Sequence, residues 1–232
     1  MKIEKHPAIS IVIPALDEAK TIKKVVLDAR DAVKSITKDF EILVMDDFST
    51  DNTIDILEKL NMPELKVFHH KENLGIEQSL RDLYKLAKNE LVFFNGADGD
   101  IDMQVLQEFY KAMKQEKADI VVGNRKFKNY TLKRNIVSNL YNNLVWILTG
   151  VKVYDAGTVK LVKISKYNVD ETKSKSVFAE AERLVRSVKK GAKLITVDIQ
   201  QNKNNRNDKV SVLQLFACLS DLIKLSFELK FL

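Results

Sequence analysis

The chain has 232 residues, about one and a half times the length of an average domain, so it holds one large domain or one domain with a small appendage. Hydrophobic residues make up 45% and charged residues 30%, which excludes general disorder; seven glycines and three prolines exclude collagen, low-complexity linkers and a turn-rich small-strand sandwich. Lys and Arg number 38 against 32 Asp and Glu, and this basic excess of +6 suits a phosphate-rich substrate, an anionic membrane surface or nucleic acid without choosing among them.

In chain order, Ala8-Ile-Ser-Ile-Val-Ile-Pro14 reads as a buried strand stopped by proline. Ile22, Val25, Val26, Ala29, Val33 and Ile36 follow at helical spacing. Phe40 to Met45 is a second strand ending at Asp46-Asp47, and Thr53 to Leu60 is a short helix. Lys66 to His69 is a third strand. Ile76, Leu80, Leu83, Tyr84 and Ala87 mark an amphipathic helix, Leu91 to Phe94 a fourth strand, Val105 to Met113 a helix, and Ile120 to Gly123 a fifth strand. This alternation predicts right-handed crossovers and a mostly parallel sheet covered on both faces.

The second half reads differently. Ile136 to Leu148 fits a helix ending at Gly150, Phe178 to Lys190 a charged helix stopped by Gly191, and Leu194 to Ile199 a strand. Gln200 to Lys209 is a polar loop. Val210 to Leu232 predicts a C-terminal helix whose stripe of Val212, Leu215, Phe216, Leu219, Leu222 and Ile223 opposes Asp221, Lys224 and Glu228. It reads equally as a helix in a membrane interface or one packed on the domain. Met1 to Ala8 shows no apolar signal segment, and no stretch reaches the ~18 apolar residues of a membrane span. A single cysteine, Cys218, excludes an intramolecular disulfide and fits a cytoplasmic compartment.

In a parallel sheet, ligands bind beyond the carboxyl ends of the strands. Acids cluster at three such ends: Asp17-Glu18, Asp46-Asp47, and Asp98, Asp100 and Asp102. One such cluster is explained as helix capping, as Ser49 and Asp51 before Thr53 illustrate. Three on one edge predict a site in which a divalent metal bridges carboxylates and a diphosphate. The phosphate loops G-x-G-x-x-G and G-x-x-x-x-G-K-[ST] are absent.

Ile11-Val-Ile-Pro-Ala-Leu-Asp-Glu18 resembles the I-P-A-x-N-E opening of family 2 glycosyltransferases, and Val44 to Thr53 resembles their V-D-D-x-S-x-D-x-T. Asn73-Leu-Gly75 matches N-x-G, and Phe93 to Asp100 lies where D-A-D-x-Q is expected. Gly123-Asn-Arg125, Arg134 to Ser138, Asp155, Glu182 to Arg186 with Gly191, and Arg206 to Ser211 resemble the branch containing dolichyl-phosphate mannose synthase and other polyprenyl-phosphate sugar synthases. The likeness runs from residue 8 to 211 and implies a GT-A-type α/β fold, a mostly parallel central sheet flanked by helices with a C-terminal helix. It implies a transferase domain over 1–209, with a nucleotide-binding half (1–123) and an acceptor half (124–209), and an appended amphipathic helix over 210–232.

The same resemblance implies roles. Pro14, Ala15, Asp17, Glu18, Asp46, Asp47, Ala97 and Asp98 are expected to hold the nucleotide, with Asp47 on the base. Asp98 and Asp100 are expected to hold Mg²⁺ or Mn²⁺, and Asp98, Arg125, Arg134 and Arg206 to serve catalysis. Gly96 stands at the first acid of the metal motif, and Asp17 at the usual Asn. The implied reaction is an inverting sugar transfer from GDP-mannose or a UDP-sugar to a polyprenyl or dolichyl phosphate, by an enzyme peripheral on the cytoplasmic face of a membrane and with no nucleic-acid partner. A hydroxyl acceptor would need a base, for which Glu180 and Glu182 are candidates. His69 and His70 are read as structural. A non-catalytic nucleotide-sugar-binding relative, motivated by Gly96, is the alternative. A receiver domain leaves the chain beyond residue 125 unexplained.

Overall fold

The computed structural model describes residues 7–125, 132–202 and 212–229; of 132–139, 212 and 214 it describes the backbone alone. Seven strands form one sheet in the order β3-β2-β1-β4-β6-β5-β7. The first half alternates as its periodicity predicts: β1 (Ile9–Ala15), α1 (Ile22–Lys34), β2 (Phe40–Asp46), α2 (Thr53–Glu58), β3 (Leu65–His69), α3 (Ile76–Leu86), β4 (Leu91–Phe94), α4 (Val105–Glu116) and β5 (Ile120–Arg125). There follow α5 (Leu132–Thr149), β6 (Lys160–Lys163), α6 (Ala179–Lys189), β7 (Leu194–Ile199) and α7 (Val212–Glu228). The β1–β2, β1–β4, β2–β3 and β5–β7 pairings are parallel, whereas β6 runs antiparallel to both β4 and β5.

Alternate strand residues serve opposite layers, as the pleat requires. Ile9, Ile11 and Ile13 of β1 pack with α1 and α4 on one face, whereas Val12 packs with α3, α6 and α7 on the other. Both faces are covered, which is why the strands are apolar runs and not alternating ones. The turns at the carboxyl ends of β1, β2 and β4 therefore share one edge.

Strand β6 is absent from the sequence reading. Its four residues include a lysine at each end, a pattern with no strand signal. Lys160 is nevertheless fully buried, because Glu180 of α6 meets its ammonium at 2.5 Å and the Phe94 ring lies 4.4 Å beneath it. Glu180 also accepts hydrogen bonds from the hydroxyls of Tyr84 (3.3 Å) and Tyr167 (3.1 Å) and from Arg183. Arg183, wholly buried, reaches Glu77 of α3 with its other terminal nitrogen. One charge network thus joins β6, α6 and α3.

The C-terminal helix corrects an expectation. Asp221 and Glu228 do not face away from the domain. Ser176 donates to Asp221 (2.7 Å), and Arg186 (2.6 Å) and Lys173 (2.9 Å) donate to Glu228. Cys218, Leu222 and Leu225 are buried, while Phe216 and Ile223 of the predicted apolar stripe are exposed. The predicted opposition of stripe and acids is not kept: Leu222 and both acids share the domain side, because the acids find cationic and hydroxyl partners there. Among the described residues, no helix is long and apolar enough to cross a membrane.

Replacing Glu180 by Gln leaves Lys160 and Arg183 buried without their shared anion, and urea titration is expected to show a loss of about 3–5 kcal/mol. Glu77 sets a pH dependence of opposite sense to ordinary acid denaturation. Burial pushes its carboxyl from the usual 4.5 up to about 7, against the pull of Arg183. Folding then favours the protonated form, so this contribution is complete below pH 4.5 and is lost as pH rises through 7. The urea midpoint of the parent protein is expected to fall across that window relative to that of Glu77→Gln.

Candidate active site

The site begins with the turn after β1. Asp17 adopts a left-handed φ of 53°, which Asp tolerates better than most residues. Its amide donates to Ser49 Oγ (2.9 Å), and its Oδ1 accepts from the Thr50 amide (2.7 Å) and the Asp51 amide (3.3 Å). Glu18 N–H donates to Thr53 Oγ1 (2.8 Å), and Ala19 N–H to Asp51 Oδ2 (3.1 Å). The acids after β1 and β2 thus stitch two loops together, and the Asp17 carboxylate is directed at the second loop.

Asp47 is held from several sides. Its Oδ1 accepts from the Leu74 amide (2.9 Å) and meets His70 Nδ1 at 2.7 Å; its Oδ2 accepts from the Gly75 amide (2.8 Å). Gly75 has φ 84°, which glycine adopts without strain, and this turns its N–H toward the carboxylate. Asn73 Oδ1 accepts from the same N–H at 3.1 Å. His70 Nε2 lies 3.2 Å from Asp82 Oδ2, so the imidazole is wedged between two carboxylates. Asp46 is buried beside it: Oδ2 accepts from the Ser49 amide (3.2 Å), and Oδ1 has no hydrogen-bond partner.

After β4, Gly96, Ala97 and Asp98 run along the same edge. Asp98 Oδ1 accepts from the Asp100 amide at 3.1 Å. A Cβ on Gly96 would stand 3.2 Å from that oxygen. Asp100 turns elsewhere, its Oδ2 accepting from Gln201 Nε2 (3.1 Å) and its carbonyl from the Asn202 amide (2.8 Å). The cleft between the three turns measures about 310 Å³. Its walls are Pro14, Ala15, Leu16, Glu18, Asp47, Asn73, Gly75, Ile76, Ser79, Gly96, Ala97 and Asp98.

Of the residues singled out from sequence, the cleft therefore gathers Pro14, Ala15, Glu18, Asp47, Ala97 and Asp98, while Asp17, Asp46 and Asp100 do not line it. Arg125 directs Nε and Nη2 at Asp155 (2.7 and 2.6 Å), a fork-on-carboxylate pair. Arg134 lies on α5 with its side chain outside the described residues, as is the whole of Arg206. Among the described residues no three His, Cys, Asp or Glu side chains are grouped to hold a metal. An all-protein cage is thus not formed there, but one carboxylate at the cleft suits Mg²⁺ or Mn²⁺ completed by phosphate oxygens and water. Glu180 and Glu182 are unsuited as bases. Glu180 is enclosed by Lys160 and Arg183, and Glu182 is buried against Ser174 and Arg186 (2.6 Å). Burial alone would raise the Glu182 carboxyl; the donors from Ser174 and Arg186 hold it below its usual value.

The sequence pattern that describes glycosyl transferase family 2 matches residues 10–165. The chain belongs to glycosyl transferase family 2. Glycosyltransferase AglD of Haloferax volcanii is 24% identical over 200 residues, 79% of this chain and 31% of AglD. A dodecaprenyl-phosphate galacturonate synthase of Rhizobium johnstonii is 26% identical over 162 residues, 68% of this chain and 48% of that protein. Relatives of comparable identity are named for transfer to poly(ribitol phosphate) and to cholesterol. This glycosyltransferase chain spans less than half the length of each of these relatives. In fold it is similar to glucosyl-3-phosphoglycerate synthase of Mycobacterium tuberculosis, solved with Mn²⁺, UDP and phosphoglyceric acid. The TM-score is 0.70 at 17% identity, covering 95% of this chain and 78% of that one.

Sequence reasoning treated His70 only as structural and gave Asn73, Gly75 and Ser79 no role. The N-x-G match was the available signal, since a glycine there turns an amide toward the preceding carboxylate. Replacing His70 by Ala removes the side-chain donor to Asp47 while sparing its two backbone donors. Isothermal titration is expected to show nucleotide affinity about tenfold weaker.

Proposed function

We propose that this glycosyltransferase domain moves a sugar from a nucleotide diphosphate, GDP-mannose or a UDP-sugar, onto a polyprenyl or dolichyl phosphate with inversion. The observation that carries the donor half is the cleft that unites Asp47 and Asp98 from either side of β1. In this reading the 1–123 half holds the donor: Asp47 accepts from the base, and Pro14, Ala15, Glu18 and Ala97 flank the nucleoside and diphosphate. Asp17 and Asp46 brace the loops that carry them.

When bound, Mg²⁺ or Mn²⁺ supplies charge neutralisation for the departing diphosphate. Asp98 is the carboxylate that would hold it, with Asp100 orienting the turn through its amide. The 124–209 half takes the acceptor. Arg125, steered by Asp155, and Arg134 and Arg206 bring guanidinium groups suited to bidentate phosphate recognition.

Two observations support a phosphate acceptor over a sugar hydroxyl. Glu180 and Glu182, the acids that could have served as bases, are committed to buried ion pairs. A phosphate nucleophile is already anionic near neutral pH and needs no base. The Rhizobium relative named for a dodecaprenyl-phosphate product supports the same acceptor class. Such an acceptor stays in a bilayer, so the reading requires contact with a membrane surface.

The test is transfer of radiolabelled sugar from UDP- and GDP-sugars to a polyprenyl phosphate, with a sugar alcohol as the competing acceptor. Product only on the alcohol overturns the acceptor assignment. Asp98→Ala is expected to abolish the Mn²⁺-dependent part of thermal stabilisation by the donor and to lower transfer at least about a hundredfold. Full Mn²⁺ stimulation in that variant would show that the metal sits elsewhere.

A further inference from the structure

We infer that the outward face of α7, together with the end of α5, is the surface by which this protein docks on an anionic lipid bilayer. The inference deepens the lipid-phosphate reading above and rests on it for its purpose, but its observations are independent of the donor cleft.

An ordinary surface helix turns its acids to water and its apolar residues inward. Helix α7 buries Leu222 and Leu225 and also turns Asp221 and Glu228 toward Ser176, Arg186 and Lys173. What it leaves outside is mainly apolar, with Ser220 among it: Leu213 is 80% exposed, Phe216 66% and Ile223 49%. These positions recur at helical spacing and form one stripe, with Lys224 beside it, its side chain 72% exposed. Helix α5 packs against α7 and exposes Ile147 (70%) and Trp146 (49%). The Lys152 ammonium lies 5.7 Å from the Trp146 ring and 5.1 Å from the Tyr154 ring.

Contiguous exposed apolar residues mark a contact surface. The charges around them choose the occupant. Asp221 pairs with Lys224 at 4.0 Å and Glu228 with Arg186 and Lys173, so neither acid of α7 is left without a cation, and Lys152 adds a further positive charge beside Trp146. In sequence, α5 and α7 are each preceded by a basic stretch, 126–131 and 203–209, with five Lys or Arg against one Asp. A second copy of this chain would bring Lys152 and Lys224 against their own counterparts, whereas an anionic bilayer complements them. Trp and Tyr with a neighbouring lysine are also the side chains suited to the boundary between headgroups and acyl chains.

The experiment is co-sedimentation of the full chain with vesicles of phosphatidylcholine and of equimolar phosphatidylcholine and phosphatidylglycerol. The parent is expected to bind the anionic vesicles. Phe216→Ser with Trp146→Ser is expected to weaken that binding at least about tenfold. Lys152→Glu with Lys224→Glu is expected to lower it about fivefold or more per site on anionic vesicles only. Nucleotide binding in solution should be unchanged in both variants, which shows that they fold. No binding by the parent, or equal binding by the variants, overturns the inference. So does a dimer in sedimentation velocity that the serine variant dissociates without any vesicle binding, since the face then belongs to a second copy. Transfer to detergent-dispersed polyprenyl phosphate separates the two readings: vesicle binding without transfer sustains the surface and removes the acceptor, and transfer without vesicle binding does the reverse.

Discussion

A guanidinium cannot shed its proton, so Arg183, buried to its last atom, must meet anions inside the protein. Glu180 supplies the charge from the preceding turn of α6, and the Glu77 carboxyl, which burial pushes up to about 7, accepts from the other guanidinium nitrogen across from α3. Glu180 in turn draws Lys160 into the sheet and two tyrosine hydroxyls onto itself. Two lysine or arginine cations and two carboxylates thereby fix how α3 and α6 sit on β6. Breaking such a network by removing one member is far costlier than never having built it.

The consequence reaches the cleft. Glu77 occupies the first turn of α3, and Asn73, Gly75 and Ile76 just before it form one wall of the cleft. The two amides that hold Asp47 come from that same stretch. The charge network anchors α3 from below while Asp47 gathers its amino end from above. A carboxylate positioned by backbone N–H groups keeps its direction without depending on a flexible side chain, so Asp47 stands preorganised at the cleft.

The acids of the second half are occupied in the same way. Glu182 binds Arg186 and the Ser174 hydroxyl, and Glu228 closes on Arg186 from α7. Charges that look available along the chain are thus spent inside the fold. Among the described residues, what α5 and α7 expose is mainly apolar, with Asn143, Ser220 and Lys224 as the exposed polar members.

How much of this was legible in the chain follows from the range of the forces. The alternating strands and helices from Ile9 to Arg125 were readable because apolar period and turn residues are local signals. The convergence of Glu18, Asp47 and Asp98 was readable because the carboxyl ends of parallel strands share one edge whatever the side chains do. Strand β6, the wedge of His70 between Asp47 and Asp82, and the side α7 turns to the domain were not. Each depends on a partner far along the chain: Glu180 for Lys160, Asp82 and Asp47 for His70, Arg186 and Ser176 for the acids of α7. The sequence by itself determined which residues carry charge and which segments hold regular structure. Only the tertiary structure decided which charges face the cleft and which neutralise one another inside, because pairing of buried charges is settled by distance in space and not by spacing along the chain.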